Sequence, residues 1–140
     1  MPLASFAARK VAHNLPKVMG PRSHAVMDYV TVGTFLALGF MFWRRNKRAS
    51  MGAFLNGGAA LANSLMTDYP GGVARAYSFK THGKIDVGLA GMTMMTPDIF
   101  AFDDDEESKY FRMLGMMETA VTGMTDFGND AWDWEAGEVA

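Results

Sequence analysis

Two histidines each precede an aspartate by four residues, His24-x-x-x-Asp28 and His82-x-x-x-Asp86. That spacing puts imidazole and carboxylate on one face of a helix, about one turn apart. Asp68, Asp126 and Glu118 extend the set of ionisable groups near apolar stretches. Imidazoles and carboxylates gathered from several helices are the right donors for Zn, Mn or non-haem Fe. The candidate metal ligands are therefore His24, Asp28, Asp68, His82, Asp86, Asp126 and Glu118. His24 and His82 are alternatively candidate axial ligands to a haem or chlorin. Glu118, the deepest of these groups, also suggests a proton or ion path. The plainest reading is structural. In it a carboxylate at the end of each hairpin, Asp68 or Asp126, accepts from the imidazole at the neighbouring helix start and from free backbone donors there. The spacing matches neither the zincin HExxH nor the Glu-x-x-His pair of di-iron bundles. The chain has no Gly-rich phosphate loop, nucleophile elbow or catalytic triad, and no aromatic–basic pattern suited to nucleic acid. With no cysteine, disulfides, thiolate-held clusters and covalently attached haem are excluded.

These groups recur at a fixed interval. The shift of 58 residues that carries His24 onto His82 also carries Asp28 onto Asp86, Asp68 onto Asp126 and Gly57 onto Gly115, and maps Met66-Thr67-Asp68 onto Met124-Thr125-Asp126. Lys17–Tyr69 lies over Arg75–Phe127 without a gap. The sequence reads as one helical hairpin written twice. Two hairpins make an even number of crossings per repeat, so the copies share one orientation about a pseudo-twofold axis, and His24 and His82 come to the same end.

The elements that position the motifs read as membrane helices. Residues 25–43 contain one ionisable group in 19, Asp28, and as a helix that length crosses a hydrocarbon core of roughly 30 Å. The spans expected are helix 1 to about Trp43, helix 2 over about Ala49–Thr67, helix 3 over about 82–102, and helix 4 over about Ser108–Asp126, with Ser23 and Thr81 as N-caps. Helix 2 is the most polar, carrying Asn56, Asn63 and Ser64 among rows of Ala and Gly that favour close packing. Residues 5–19 read as a basic amphipathic helix lying at the interface. Residues 128–140 form an acidic tail bearing Trp132 and Trp134. Residues 1–100 carry eleven Lys/Arg against four Asp, and residues 101–140 two against eleven Asp/Glu, a dipolar arrangement suited to orienting on a charged partner. The first 23 residues lack a continuous apolar core and an A-x-A-like site, so no cleavable signal peptide is expected.

At His24-Ala-Val-Met-Asp28-Tyr29, Asn63-Ser-Leu-Met-Thr-Asp68-Tyr69, His82-Gly-Lys-Ile-Asp86 and Met117-Glu118-Thr-Ala, the chain resembles the SPW-repeat-like family of small bacterial four-helix membrane proteins. The resemblance spans roughly residues 20–125. It implies a membrane-embedded four-helix protein of the bacterial cytoplasmic membrane, and brings no activity with it.

The expected architecture is thus all-α: an integral membrane four-helix bundle of two tandem hairpins in a single domain, with residues 1–23 as a basic segment. The expected role is a non-catalytic accessory or structural subunit of a larger membrane assembly, or a homo-oligomer, with the bilayer as its other partner. The alternative is an intramembrane metal- or haem/chlorin-binding protein built on the paired motifs. A soluble bundle, suggested by polar helix 2, is a third.

Overall fold

The structure, a computed structural model, describes residue 10 and residues 14–128. Most of the expected N-terminal helix and the acidic tail with Trp132 and Trp134 lie outside these residues, and residues 14–19 carry no helix. The fold is all-α, and residues 14–128 carry four helices: α1 Pro21–Phe42, α2 Lys47–Met66, α3 Phe79–Ile99 and α4 Ser108–Gly123. A short parallel pair, β1 Thr67–Asp68 and β2 Tyr77–Ser78, joins the end of α2 to the start of α3.

Local chemistry sets the helix starts, and two of them fall earlier than Ser23 and Thr81 imply. Pro21 opens α1 after an extended Gly20; its fixed φ suits a first helical position, where its missing N–H is no loss. Ser78 caps α3 by accepting from the Thr81 N–H, so Thr81 is a first-turn donor and not the cap. Asn46 caps α2 in the same way through the Ala49 N–H.

The 58-residue repeat is realised in the backbone. Thr67 pairs with Tyr77, and Met19 bridges Thr125 in the same parallel sense. The Ala76 N–H donates to Met66 O at 2.7 Å, and its repeat counterpart, the Val18 N–H, donates to Met124 O at 2.9 Å. Each segment entering a repeat is therefore clasped to the segment leaving the other, so the two hairpins interlock. Within a hairpin the helices touch where side chains vanish. A Cβ on Gly57 would lie 2.9 Å from Phe35 Cβ, and one on its counterpart Gly115 would lie 2.4 Å from Met94 Cγ.

Polar and apolar residues are distributed lengthwise. At the loop end, Phe35, Phe42, Ala49, Ala53, Phe102 and Phe111 form a dry core. Midway, buried Asn56 donates to Thr96 Oγ1 and accepts from Thr93, which satisfies the polar residue that weakened helix 2 on paper. The helix starts and ends at the other pole bury His24, His82, Thr67 and Thr125. The outer faces are apolar, with Val26, Val30, Phe40, Met51, Leu55, Met113 and Met116 all exposed. Of the described helices, only α1 is long and apolar enough to cross a membrane by length and composition. Interior-facing polar residues pull down the mean hydropathy of α2 and α3, and α4, with 16 residues, extends only about 24 Å.

The two loops are locked by charge. Buried Glu107 takes the Arg45 guanidinium at 2.9 Å and an Asn46 N–H at 3.2 Å. Burial opposes its ionisation, but hydrogen bonds from backbone and Asn46, together with the Arg45 charge, outweigh burial and hold its carboxyl below the usual range. A group whose folded pKa is depressed stabilises above its unfolded pKa and loses that contribution as pH falls. Glu107→Gln is expected to cost about 1–2 kcal/mol at neutral pH. The gap between its melting temperature and that of the parent should close as pH falls below about 4.

Candidate metal centre

The first turns of α1 and α3 stand at the same end of the bundle, and there the two motifs face each other across the pseudo-twofold axis. His24 Nε2 lies 3.1 Å from His82 Nε2, 3.2 Å from Asp28 Oδ1 and 2.9 Å from Asp86 Oδ2. His82 Nε2 lies 3.2 Å from Asp28 Oδ2 and 3.0 Å from Asp86 Oδ2. One ligand-type atom from each residue falls within 4.8 Å of all the others. Both rings are fully enclosed, while the carboxylates keep 13% of their side-chain surface.

The tautomer of each ring follows from its far side. His82 Nδ1 is 2.7 Å from Thr67 Oγ1, and that hydroxyl already donates to Asn63 O. His24 Nδ1 is 2.7 Å from Thr125 Oγ1, which donates to Val121 O. A hydroxyl has one proton to give, so each threonine accepts from an Nδ1–H. A neutral ring then turns its bare Nε2 lone pair into the cluster. The carboxylates are held as firmly. The Tyr69 hydroxyl donates to Asp28 Oδ2 at 2.7 Å, and Asn63 Nδ2 donates to Asp86 Oδ1 at 2.9 Å. Two bare nitrogens about 3 Å from each other and from the oxygens of two carboxylates repel one another unless positive charge sits among them. A proton on His24 Nε2, donated to Asp86 Oδ2 at 2.9 Å, is one source of that charge, and a metal ion is the other.

Directly against this cluster is a chamber of about 30 Å3. His24, Asp28 and Asp86 line it on the cluster side, and its walls include the repeat-related pairs Thr31 and Leu89, Ala60 and Glu118, and Ser64 and Thr122. It therefore lies on the pseudo-axis. Glu118 breaks the symmetry, and its Oε2 is buried without a hydrogen-bond partner.

The structure brings together four of the seven candidate ligands and places Glu118 across the chamber. Asp68 and Asp126 are elsewhere: Asp68 is exposed and takes Arg75 at 2.8 Å, and Asp126 is exposed and accepts from the Gly128 N–H. The expectation that they staple the histidines is corrected for a simple reason. In the extended segment after each helix, side chains alternate in direction, and it is the preceding threonine, Thr67 or Thr125, that turns inward. Each of these threonines also serves the histidine of the other repeat. Axial ligation of a haem or chlorin by His24 and His82 does not fit either. Two metal–nitrogen bonds in line would separate the Nε2 atoms by about 4 Å with a flat macrocycle between them, whereas here they nearly touch, with Asp28 and Asp86 packed against both. Thr67, Thr125, Tyr69 and Asn63 were not singled out as site residues. The only sequence signal for the threonines was their place in the repeated Met-Thr-Asp.

No protein family, curated protein or solved structure matches this chain.

Proposed function

We propose that this chain is a membrane-embedded four-helix protein that binds one divalent metal ion through His24, Asp28, His82 and Asp86, with Zn2+ the best fit. The observation that carries the reading is the set of near-equal contacts, 2.9–3.2 Å, from the two imidazole nitrogens to each other and to both carboxylates, each ligand being held from behind. Bonds of about 2.0 Å to a tetrahedral Zn2+ put ligand atoms about 3.3 Å apart, close to the spacing here. Mixed nitrogen and oxygen donors suit Zn2+, Mn2+ or Fe2+, and four-coordination favours Zn2+. Charge points the same way, since two carboxylates and two neutral imidazoles balance a dication, which a low-dielectric interior requires. Partners behind the ligands, here two threonines, a tyrosine and an asparagine, orient and tune metal ligands.

The membrane half of the reading rests on helices whose outer faces are apolar while His24, Asn56, His82 and Thr93 are turned inward. Lipid favours that arrangement, and water disfavours so much exposed apolar surface. It agrees with what the SPW-repeat resemblance implies, and the same apolar girdle offers a surface to neighbouring membrane subunits.

Elemental analysis of protein purified in mild, chelator-free detergent tests the metal. One divalent ion per chain is expected. Metal-free protein whose stability is indifferent to added Zn2+ would instead leave the cluster a hydrogen-bonded staple, and the accessory-subunit role would stand. Partition into water without detergent would overturn the membrane half. Thr67→Val and Thr125→Val are nearly isosteric and remove only the hydroxyl that stands behind each imidazole, on the side away from the metal. Each is expected to weaken Zn2+ binding about 10–100-fold in a competition titration, since the ring behind it loses its anchor.

A further inference from the structure

The chamber beside the cluster has a definite relation to the four ligands. It is lined by His24, Asp28 and Asp86 but not by His82. It therefore lies on the inner side of the cluster, against His24 and the two aspartates. A small ligand in the chamber would reach a metal held by the four residues, as in expansion from four to five coordination. At about 30 Å3, the chamber has room for a water or a ligand of two or three heavy atoms. Its one ionisable wall residue beyond the cluster is Glu118, whose buried Oε2 lacks a partner. Such an atom is costly unless something in the chamber bonds to it. The two Asp cannot be that partner, because their oxygens are already engaged by the imidazoles, Tyr69 and Asn63.

Across the axis from Glu118, at the repeat-related position, stands Ala60. A second glutamate would crowd the chamber, whereas alanine leaves room. The pair thus combines one small wall with one acid, on the axis, next to the cluster.

We infer that the chamber is an open coordination position, where the metal takes an exchangeable ligand of water size and Glu118 hydrogen-bonds it. The inference rests on the metal reading above and goes beyond it: the centre is reactive toward small ligands and is not a closed structural site. Azide is a suitable probe, because it has three heavy atoms and binds open metal positions.

The test uses full-length protein in detergent loaded with Co2+, whose visible bands report coordination number. The parent should show the weak bands of five-coordinate Co2+, and azide should shift them. Ala60→Leu fills the chamber from the wall opposite Glu118. It should bind Co2+ with the same stoichiometry, show the strong bands of four-coordination and ignore azide. Glu118→Leu keeps the volume but removes the acid. It should fold at least as stably, since a buried orphan oxygen is gone, and bind azide at least about fivefold more weakly, the worth of one hydrogen bond. A four-coordinate parent spectrum blind to azide, or equal azide responses in all three proteins, would overturn the open position while leaving the metal site intact. Failure of the parent to take up Co2+ would remove the metal reading and this inference together.

Discussion

The double variant His24→Ala, His82→Ala is expected to carry no divalent metal and to unfold far below the metal-loaded parent. Two effects act in the same direction. A ligand that binds only the folded state, present at a thousand times its dissociation constant, contributes about 4 kcal/mol of apparent stability, and the variant forfeits it. The substitution also leaves Asp28 and Asp86, each 13% exposed, facing one another with no cation between them. Breaking a buried pair by removing one partner typically costs about 3–5 kcal/mol. Asp28→Asn, Asp86→Asn separates the two effects. It too should bind no metal, but its cluster is neutral and keeps hydrogen-bonding capacity, so it should melt above the alanine variant. Chelator should lower the melting temperature of the parent, Zn2+ should restore it, and neither should affect the two double variants. A parent that melts identically with chelator and with Zn2+ would show that the cluster works without metal.

The parts of this site that were legible in sequence are the parts that repeat. A 58-residue shift with no gap names His24, Asp28, His82 and Asp86 together, and duplication requires the copies to meet across an axis. Helix-face spacing is a local property, so the i, i+4 pairs survived folding unchanged. The fate of Asp68 and Asp126 was not local. They follow the last residues of α2 and α4, where the chain leaves helical geometry, and a change from period 3.6 to period 2 moves the inward position back by one residue, onto Thr67 and Thr125. Nothing in the types of neighbouring residues marks that change.

Nor could hairpin-by-hairpin reasoning find the swap. Treating each repeat as self-contained puts His24 beside the end of α2. In the folded chain, the end of α4 reaches His24 and the end of α2 reaches His82, because Met19 pairs with Thr125 and Tyr77 with Thr67. The interlocking has an energetic consequence. Each hairpin alone would leave its histidine without its threonine, so the cluster forms only when both halves are in place, and it ties their folding together. The asymmetric support is equally invisible in a repeat alignment. Tyr69 and Asn63 hold Asp28 and Asp86, while their counterparts, Phe127 and Val121, have no polar group to offer.

The largest effect expected from a residue outside the cluster is at Gly72. The turn after α2 folds back on itself, with the Gly72 N–H donating to Tyr69 O and Val73 donating to Leu65 O. A Cβ built on Gly72 would stand 1.7 Å from the carbonyl oxygen of Thr67. Backbone cannot yield that much without opening the turn, so Gly72→Ala should exceed the 1–3 kcal/mol usual for overpacking, at about 3 kcal/mol or more. The damage would not stay local, because the same turn carries two residues that stand behind the ligands. Thr67 anchors the His82 ring, and Tyr69 bonds Asp28 while stacking on Phe79. Affinity for Zn2+ should therefore fall about 10–100-fold, although Gly72 touches no ligand. Gly58→Ala is the matched control. It lies within α2 with nothing within 4 Å of its added Cβ, and alanine favours helix over glycine by about 0.5–1 kcal/mol, so it should raise the melting point and leave metal affinity unchanged. If Gly72→Ala lowered stability but left Zn2+ affinity at the parental value, the imidazole and carboxylate would be held without help from the turn, and the roles given to Thr67 and Tyr69 would be wrong.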